Sequence, residues 1–367
     1  MSNELIQIGN PDRIQNFIKK IRGKKPLFIC VIGNTETGKI SGISAAGANP
    51  EITDFTPAAD MEYLHFNKCK SIKGVPITPD GIPTPALITK AALDLGDIPY
   101  MVVVGGAKIL PKTPYIDLGG SYGTDISSGN AVKNSKDVFE KARLFGENIS
   151  KVANYLVIGE SIAGGTTTAL SVLLALGYDA SNKISSSLPN NPLELKLNII
   201  NEGFKKKNVK FGDFKNQPFK AIEYFGDPMQ PACAGIVVGA VKRIPIILAG
   251  GTQMAAIVAL IKLIDNNALE NLAIGTTKWI IKDPQSDLLG IIKQIDQKIP
   301  ILGINFNFSS MKYKGLRVYE EGIVKEGVGA GGTSIACILF TKNKINVEKL
   351  QKKIEEDYEK IIRNWAI

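Results

Sequence analysis

The sequence predicts an α/β protein of three layers, a mostly parallel sheet held between two sets of helices. Short apolar runs bounded by glycine alternate with helix-length apolar stretches, the pattern of parallel strands joined by crossover helices. Three small-residue stretches, Gly164-Gly165-Thr166, Gly250-Gly251-Thr252 and Gly331-Gly332-Thr333, each feed a helix-length apolar run. With 367 residues, 44% of them hydrophobic and 22% charged, the chain can bury a large core and has the composition of a soluble globular enzyme.

The elements follow in order. Asn10-Pro11-Asp12 offers a cap, a proline for the first turn and an acid beside it, so a helix should run from there to Gly23. Pro26 to Gly33 is a continuous apolar run, read as a buried parallel strand. It opens into Asn34-Thr35-Glu36-Thr37-Gly38 and then the small polar loop Ser44 to Pro50, at a strand end of the kind where parallel sheets bind ligands. Thr84-Pro85 starts a second helix that ends at Leu95-Gly96, and Tyr100 to Gly106 is the next strand. Ala107 to Asn134 is rich in Gly, Pro, Ser and Asp without periodicity and reads as a lid or active-site flap. Ser135 should cap a helix whose Val138, Ala142, Phe145, Ile149 and Val152 face the core.

The stretch Tyr155 to Gly177 organises the rest. It reads as a buried strand, a tight loop and a helix, with Thr166 or Thr167 as the helix cap and Gly177 as its left-handed stop. A glycine-rich loop feeding a helix start points free backbone N–H groups at one spot, a ready anion site. Gly159-x-x-x-x-Gly164 mimics a P-loop, but Gly165-Thr166 stand where Lys and Ser/Thr are needed, which argues against nucleoside triphosphate hydrolysis. What remains is a cradle suited to a monophosphate, the alternative being a plain tight turn.

Beyond Gly177, Ser185-Ser186-Ser187 precede Asn191-Pro192, which opens a helix carrying Lys196, and Lys205 to Pro218 reads as surface loop. Ala234 to Arg243 is a small-residue helix, Pro245 to Ala249 a strand, and Gly250-Gly251-Thr252-Gln253 repeats the strand–glycine–helix design. Ala273 to Ile281 and Ile301 to Phe308 are two more strands. Glu326 to Ser334 is the third glycine-rich approach to a helix, Ile335 to Phe340. Asn346 caps an amphipathic helix with Leu350, Ile354, Tyr358, Ile361 and Trp365 on one face, expected to pack on the N-terminal helix. The expected organisation is one Rossmann-like nucleotide-binding domain over residues 26–344, with 1–25 and 345–367 forming a small helical part.

Composition narrows the function classes. The formal charge of +9 comes from scattered lysines without the aromatic interleaving of single-strand binders, which argues against nucleic acid but favours an anionic small substrate. Four cysteines, Cys30, Cys69, Cys233 and Cys337, form no C-x-x-C pair, and His65 is the single histidine, so neither structural zinc nor a histidine triad is expected. The polar N-terminus is unlike a signal peptide, and Pro245, the Gly250-Gly251 pair and Lys262 break up the apolar run 244–264. A cytoplasmic protein with reduced thiols and no membrane partner is expected.

Glycine and threonine hold a phosphate but move no protons. Glu160 and Glu326, each on a glycine-rich loop, are the candidate general bases, the plainer role being a carboxylate at a helix start. Gly159-Glu160-Ser161-Ile162-Ala163-Gly164-Gly165-Thr166-Thr167 resembles the G-E-M-G-I-G-N-T-T motif of nicotinate-nucleotide:dimethylbenzimidazole phosphoribosyltransferases. Ile244 to Gly250 resembles that family's V-P-V-L-L-D-G strand and Glu326-Gly327-Val328-Gly329-Ala330 its E-G-T-G-A, in the same order. The likeness spans roughly residues 26–342 and is closer to archaeal homologues than to bacterial enzymes.

The resemblance implies transfer of phosphoribose from nicotinate mononucleotide to an aromatic base, for cobamide lower-ligand activation, by a homodimer without cofactor or metal. Glu326 matches the family's catalytic glutamate. Gly159, Glu160, Ser161, Gly164, Gly165, Thr166, Thr167, Ser185, Lys196, Gly250 and Gly251 would line the phosphate and ribose. Asn34, Thr35 and Glu36 stand where the family has about D-H-G-V, near the acceptor. Ser161, Ile162 and Ala249 are further departures, so the acceptor need not be dimethylbenzimidazole. Two other readings stay open, a regulatory nucleotide-binding protein and a nicotinamide-dependent oxidoreductase. The second rests on Gly327-x-Gly329-x-x-Gly332, but the 35 residues that follow Gly332 are too few to complete a dinucleotide fold.

Overall fold

The computed structural model describes residues 4–47, 49–72, 74 and 77–365. Its strands are β1 (Leu5–Ile8), β2 (Leu27–Gly33), β3 (Tyr100–Gly106), β4 (Ile116–Asp117), β5 (Leu156–Ser161), β6 (Ile246–Ala249), β7 (Leu272–Thr277) and β8 (Ile301–Ile304). They form one sheet in the order β1-β8-β7-β6-β5-β2-β3-β4, parallel throughout except for β1, which runs antiparallel to β8 with Leu5 opposite Ile304. From β2 the chain builds outward through β3 and β4, then returns to the other side of β2 for β5 and continues to β8. The order therefore reverses between β2 and β5, the place where sheets of this class open a crevice at their carboxyl ends.

Strand side chains alternate between two cores, as pleating demands. Phe28, Cys30 and Ile32 of β2 face one core, and Ile29 and Val31 face the other. Val157, Ile247 and Ala273 repeat the first side, and Leu156, Ile158, Ile246 and Ile274 the second. Burial on both faces is why these strands read as unbroken apolar runs. Helices Gly165–Leu176, Met229–Ala240 and Thr252–Ile264 cover the second side, and Ala86–Gly96 and Ala330–Phe340 the first.

Helix Ala330–Phe340 presses unusually close to the sheet. A Cβ on Gly331 would lie 2.2 Å from the Thr276 carbonyl carbon, and one on Gly332 would lie 2.3 Å from Ala249 Cβ. Small residues at these two positions let the helix start sit directly on the ends of β6 and β7, which fixes where the preceding Glu326 can be.

Several elements differ from the expected ones. The strand expected over Ala273–Ile281 turns at Thr277 into the short helix Lys278–Ile281, and β8 ends at Ile304. Residue 134, not 135, caps helix Ser135–Ile149, and Val152 is 80% exposed because the helix ends before it. The terminal segments do not pair as a helical unit. Residues 5–8 add an edge strand to the main sheet, helix Pro11–Ile21 packs on it and on Ala330–Phe340, and helix Val347–Trp365 lies along Ala86–Gly96. Leu350, Ile354, Tyr358 and Ile361 are buried there as the periodicity requires, whereas the Trp365 side chain lies outside the described residues. None of the described helices is long and apolar enough to cross a membrane.

Candidate active site

A cleft of about 240 Å³ opens at the carboxyl ends of the strands, beside the reversal between β2 and β5. The first two glycine–threonine junctions reach it through residues 160–166 and 251–253, and the loop preceding the third through 326–328. Residues 44–47, helix Thr56–Phe66 and the segment around Ile77 to Pro85 complete the wall. Ile72, Ile77, Ile82, Ile162, Ile280 and Val328 make much of the lining apolar, which suits a flat ring.

One end of the cleft is built for an anion. Helix Gly165–Leu176 starts at Gly164, whose φ of 79° is the left-handed cap, so glycine takes the role expected of Thr166 or Thr167. Neither this helix nor Thr252–Ile264 has a side chain closing its first turn, so backbone N–H groups face the cleft at both starts. Ser185 joins them, its N–H donating to Thr252 Oγ1 at 3.0 Å and its hydroxyl lying 2.8 Å from the same oxygen. Among the described residues no Lys, Arg or His lines the cleft, so backbone N–H groups, hydroxyls and the Gln253 amide are the donors it offers an anion.

Three acids also line it. Glu326 is half-buried and reaches the cleft, with Oε1 accepting from the N–H of Gly327 at 3.2 Å and of Gly331 at 3.1 Å, and Oε2 from Thr276 Oγ1 at 3.3 Å. Burial pushes its carboxyl up to about 7 against those donors. Glu160 is buried, accepts one N–H from Ile162 at 3.0 Å, and is pushed up to about 8 by burial first and then by the charge of Asp227. Asp60 is buried too, its carboxyl raised to about 6 by burial, and it holds the hydroxyls of Thr84 and Ser161, each at 2.7 Å. Glu326 and Asp60 also act electrostatically on Glu160, so the three lining acids share one field. A carboxylate raised to about 7 and open to a largely apolar cleft is suited to take a proton at neutral pH.

The structure brings together Glu160, Ser161, Gly164, Gly165, Thr166, Ser185, Gly251 and Glu326 on the cleft wall. Other expected residues lie elsewhere. Gly159 is covered, with room for no Cβ because Gly329 Cα would be 2.8 Å away. Thr167 is buried, and Gly250 faces Met254. Lys196 sits behind the wall, its Nζ donating to the Ser185 carbonyl at 2.9 Å and to Asn191 Oδ1 at 3.0 Å. Burial lowers its ammonium to about 7, with the nearby charge of Lys325 adding to the effect and Asp283 opposing it.

The acceptor assignment of Asn34, Thr35 and Glu36 is not met, since none of the three lines the cleft. Asn34 is tied to the Asp54 carbonyl and the Lys108 N–H, Thr35 caps the short turn Glu36–Lys39, and Glu36 pairs with Lys39 and Lys108. Polar partners at the end of β2 turn these side chains away. Residues 107–134, expected as a lid, likewise contribute nothing to the lining and pack on β2 and β3 through the Thr35–Gly123 bridge and β4. Ile52, Ile72, Ile77 and Ile82 supply part of the apolar wall instead, from a stretch where Asp60 was missed. Asp60 lies in a helix buried from Pro57 to Leu64, so no amphipathic stripe marks it. Thr84 beside Pro85 was visible only as a helix start.

Comparison with known proteins bears on the family and the fold. A phosphoribosyltransferase family model matches residues 132–277, which include the Gly159–Thr167 loop and both anion-facing helix starts. Two solved structures from Thermus thermophilus share the fold. One, titled nicotinate-nucleotide-dimethylbenzimidazole phosphoribosyltransferase, has a TM-score of 0.54 at 14% identity, covering 91% of this chain and 92% of its own. The other, titled CobT, has a TM-score of 0.56 at 14% identity, covering 90% and 92%. The family model thus covers the first two of the three sequence motifs, the third at 326–330 lying beyond its matched residues, and the fold is that of the family the motifs resemble. A UPF0284 protein of Sulfolobus acidocaldarius is 46% identical over 95% of the chain and 100% of its own length, and one of Methanothermobacter thermautotrophicus is 42% identical over 93% and 94%. At that identity across nearly its whole length, the chain belongs to the UPF0284 protein family, on the fold of the phosphoribosyltransferases it resembles.

Proposed function

We propose that the protein transfers phosphoribose from nicotinate mononucleotide to a flat nitrogenous base, releasing nicotinate and an α-linked ribotide, as a cobamide lower-ligand activating enzyme. The observation that carries this reading is Glu326, a carboxylate raised to about 7 in the same cleft as two open helix starts. The phosphate would sit on the N–H groups at Gly165, Thr166 and Thr252 with the hydroxyls of Ser185 and its neighbours. The two rings would lie among the isoleucines on opposite faces of the ribose.

In the step itself an acceptor nitrogen forms a bond to the anomeric carbon. The glycosidic bond to the pyridinium breaks, and its electron pair returns to the ring nitrogen, giving neutral-ring nicotinate. The acceptor's N–H proton goes to Glu326. A pyridinium is already a good leaving group, so the site has to supply alignment and one base. Asp60, raised only to about 6, adds negative charge near the cleft at neutral pH, whereas Glu160 at about 8 is largely protonated there. The match to a phosphoribosyltransferase model and the titles of the two structural neighbours support the same reading.

The test is incubation with nicotinate mononucleotide and a panel of benzimidazoles, purines and phenols, following nicotinate release. Release that depends on the acceptor supports the transferase. Tight nucleotide binding without turnover on any acceptor would favour a regulatory protein instead.

A further inference from the structure

The loop that carries Glu326 is held against its own backbone preference. Val324, Lys325 and Val328 have φ of 69°, 63° and 52°, the left-handed region that β-branched side chains strongly disfavour. With Gly327 at 140° and Gly329 at 73°, only Glu326 among residues 324–329 is free of positive φ. Such a conformation persists only where its surroundings impose it.

The imposing contacts are specific. Lys325 is 2% exposed, and its Nζ lies 2.7 Å from Asp283 Oδ2 in an ion pair buried on both sides. The Lys325 carbonyl accepts from Thr277 Oγ1 at 2.7 Å, the Val324 N–H donates to the Ser187 carbonyl at 2.9 Å, and the Val328 N–H donates to the Glu160 carbonyl at 2.9 Å. Asp283 is itself fixed by the Gln285 N–H at 3.0 Å and the Ser286 hydroxyl at 3.1 Å. Neither Lys325 nor Asp283 lines the cleft, so neither takes part in the step described above. Burying an ion pair is a poor way to gain stability, because apolar residues of the same volume serve as well or better.

We propose that the Lys325–Asp283 ion pair is a positioning device for the proposed reaction, holding residues 324–329 in the strained form that aims the Glu326 carboxylate into the cleft. The role assigned to Glu326 rests on the transferase reading, whereas the positioning itself does not. The same device reaches the anion end, since Ser187 accepts from Val324 while Lys196, within electrostatic range of Lys325, holds the Ser185 carbonyl.

The experiment compares the wild type with the Lys325→Met/Asp283→Leu double variant, which leaves no unpaired buried charge. The first readout is the titration of the Glu326 carboxyl carbon by NMR in the nucleotide-free protein. A displaced loop changes both the burial that raises this carboxyl and the Gly327 and Gly331 N–H bonds that lower it, so the midpoint should move away from about 7. The second is kinetic. Here kcat should fall by about 30-fold or more, as expected for a base displaced by a fraction of an ångström, with KM for nicotinate mononucleotide within about threefold of wild type.

An unchanged midpoint in the folded double variant overturns the proposal whatever the activity. A shifted midpoint in a protein whose wild type turns over no acceptor supports the positioning device and overturns the transferase reading alone. Should the double variant fail to fold, Asp283→Asn keeps an oxygen acceptor for Lys325. A smaller shift is then expected, and an unchanged midpoint overturns the proposal.

Discussion

Glu326, Glu160 and Asp60 come from three separate parts of the chain, and each is raised chiefly by burial, to about 7, 8 and 6. What separates them is what their oxygens already hold. Asp60 is committed to the hydroxyls of Thr84 and Ser161, and Glu160 accepts the Ile162 N–H within a buried side chain, whereas Glu326 stays partly open to the cleft. A second residue-scale argument concerns Gly165. A Cβ there would lie 2.4 Å from Gln253 Nε2 and 2.9 Å from Ile162 Cγ2, both on the cleft wall. Gly165→Val should therefore raise KM for nicotinate mononucleotide by about tenfold, roughly 1.4 kcal/mol of binding, with kcat changed less. Steady-state kinetics read this, and an unchanged KM would remove Gly165 from the phosphate cradle.

At the scale of elements, the helix Ala330–Phe340 is set by glycine on the strand ends. Gly331→Ala puts a Cβ 2.2 Å from the Thr276 carbonyl carbon, where backbone meets backbone and no side chain can yield. Urea unfolding should show a loss of about 3 kcal/mol or more, at or beyond the upper range for overpacking. A loss under about 1 kcal/mol, below that range, would mean that the helix lifts off the sheet at little cost.

The strands were legible because a parallel sheet buries both faces, and the two open helix starts because small residues follow an apolar run. Helix Thr56–Phe66 was not, since a helix buried along most of its length carries no stripe, and with it Asp60 was lost. The loop after β2 misled for another reason. Its polar residues look ready for a ligand, but Asn34 and Glu36 are satisfied by Asp54, Lys39 and Lys108, partners that spacing within the loop does not reveal. Lys196 was placed by spacing in the correct neighbourhood and on the wrong side of the wall, because a side chain's direction depends on tertiary packing.

For the molecule as a whole, four acids with raised carboxyls make folding pH-dependent. Glu160, Glu326, Asp60 and Asp227 have native carboxyls at about 8, 7, 6 and 6, against ordinary values of 4.5 for Glu and 3.8 for Asp. Between those limits the unfolded chain has released protons that the native state still binds, so stability falls as pH rises from about 4 to about 8 and levels off above. Chemical denaturation across that range should show midpoints declining toward pH 8, and midpoints that rise there would contradict the assignment of these carboxyls. The same titration bears on activity. Glu326 must be ionised to accept a proton, so kcat should climb through about pH 7, the opposite direction to stability.

The central claim, that Glu326 is the base of a phosphoribosyl transfer, is tested most directly by nicotinate release in Glu326→Gln. With nicotinate mononucleotide and an acceptor that supports the wild type, the variant should bind the nucleotide as tightly while releasing nicotinate at least about 100-fold more slowly. Release at the wild-type rate from a variant that binds normally would contradict the claim.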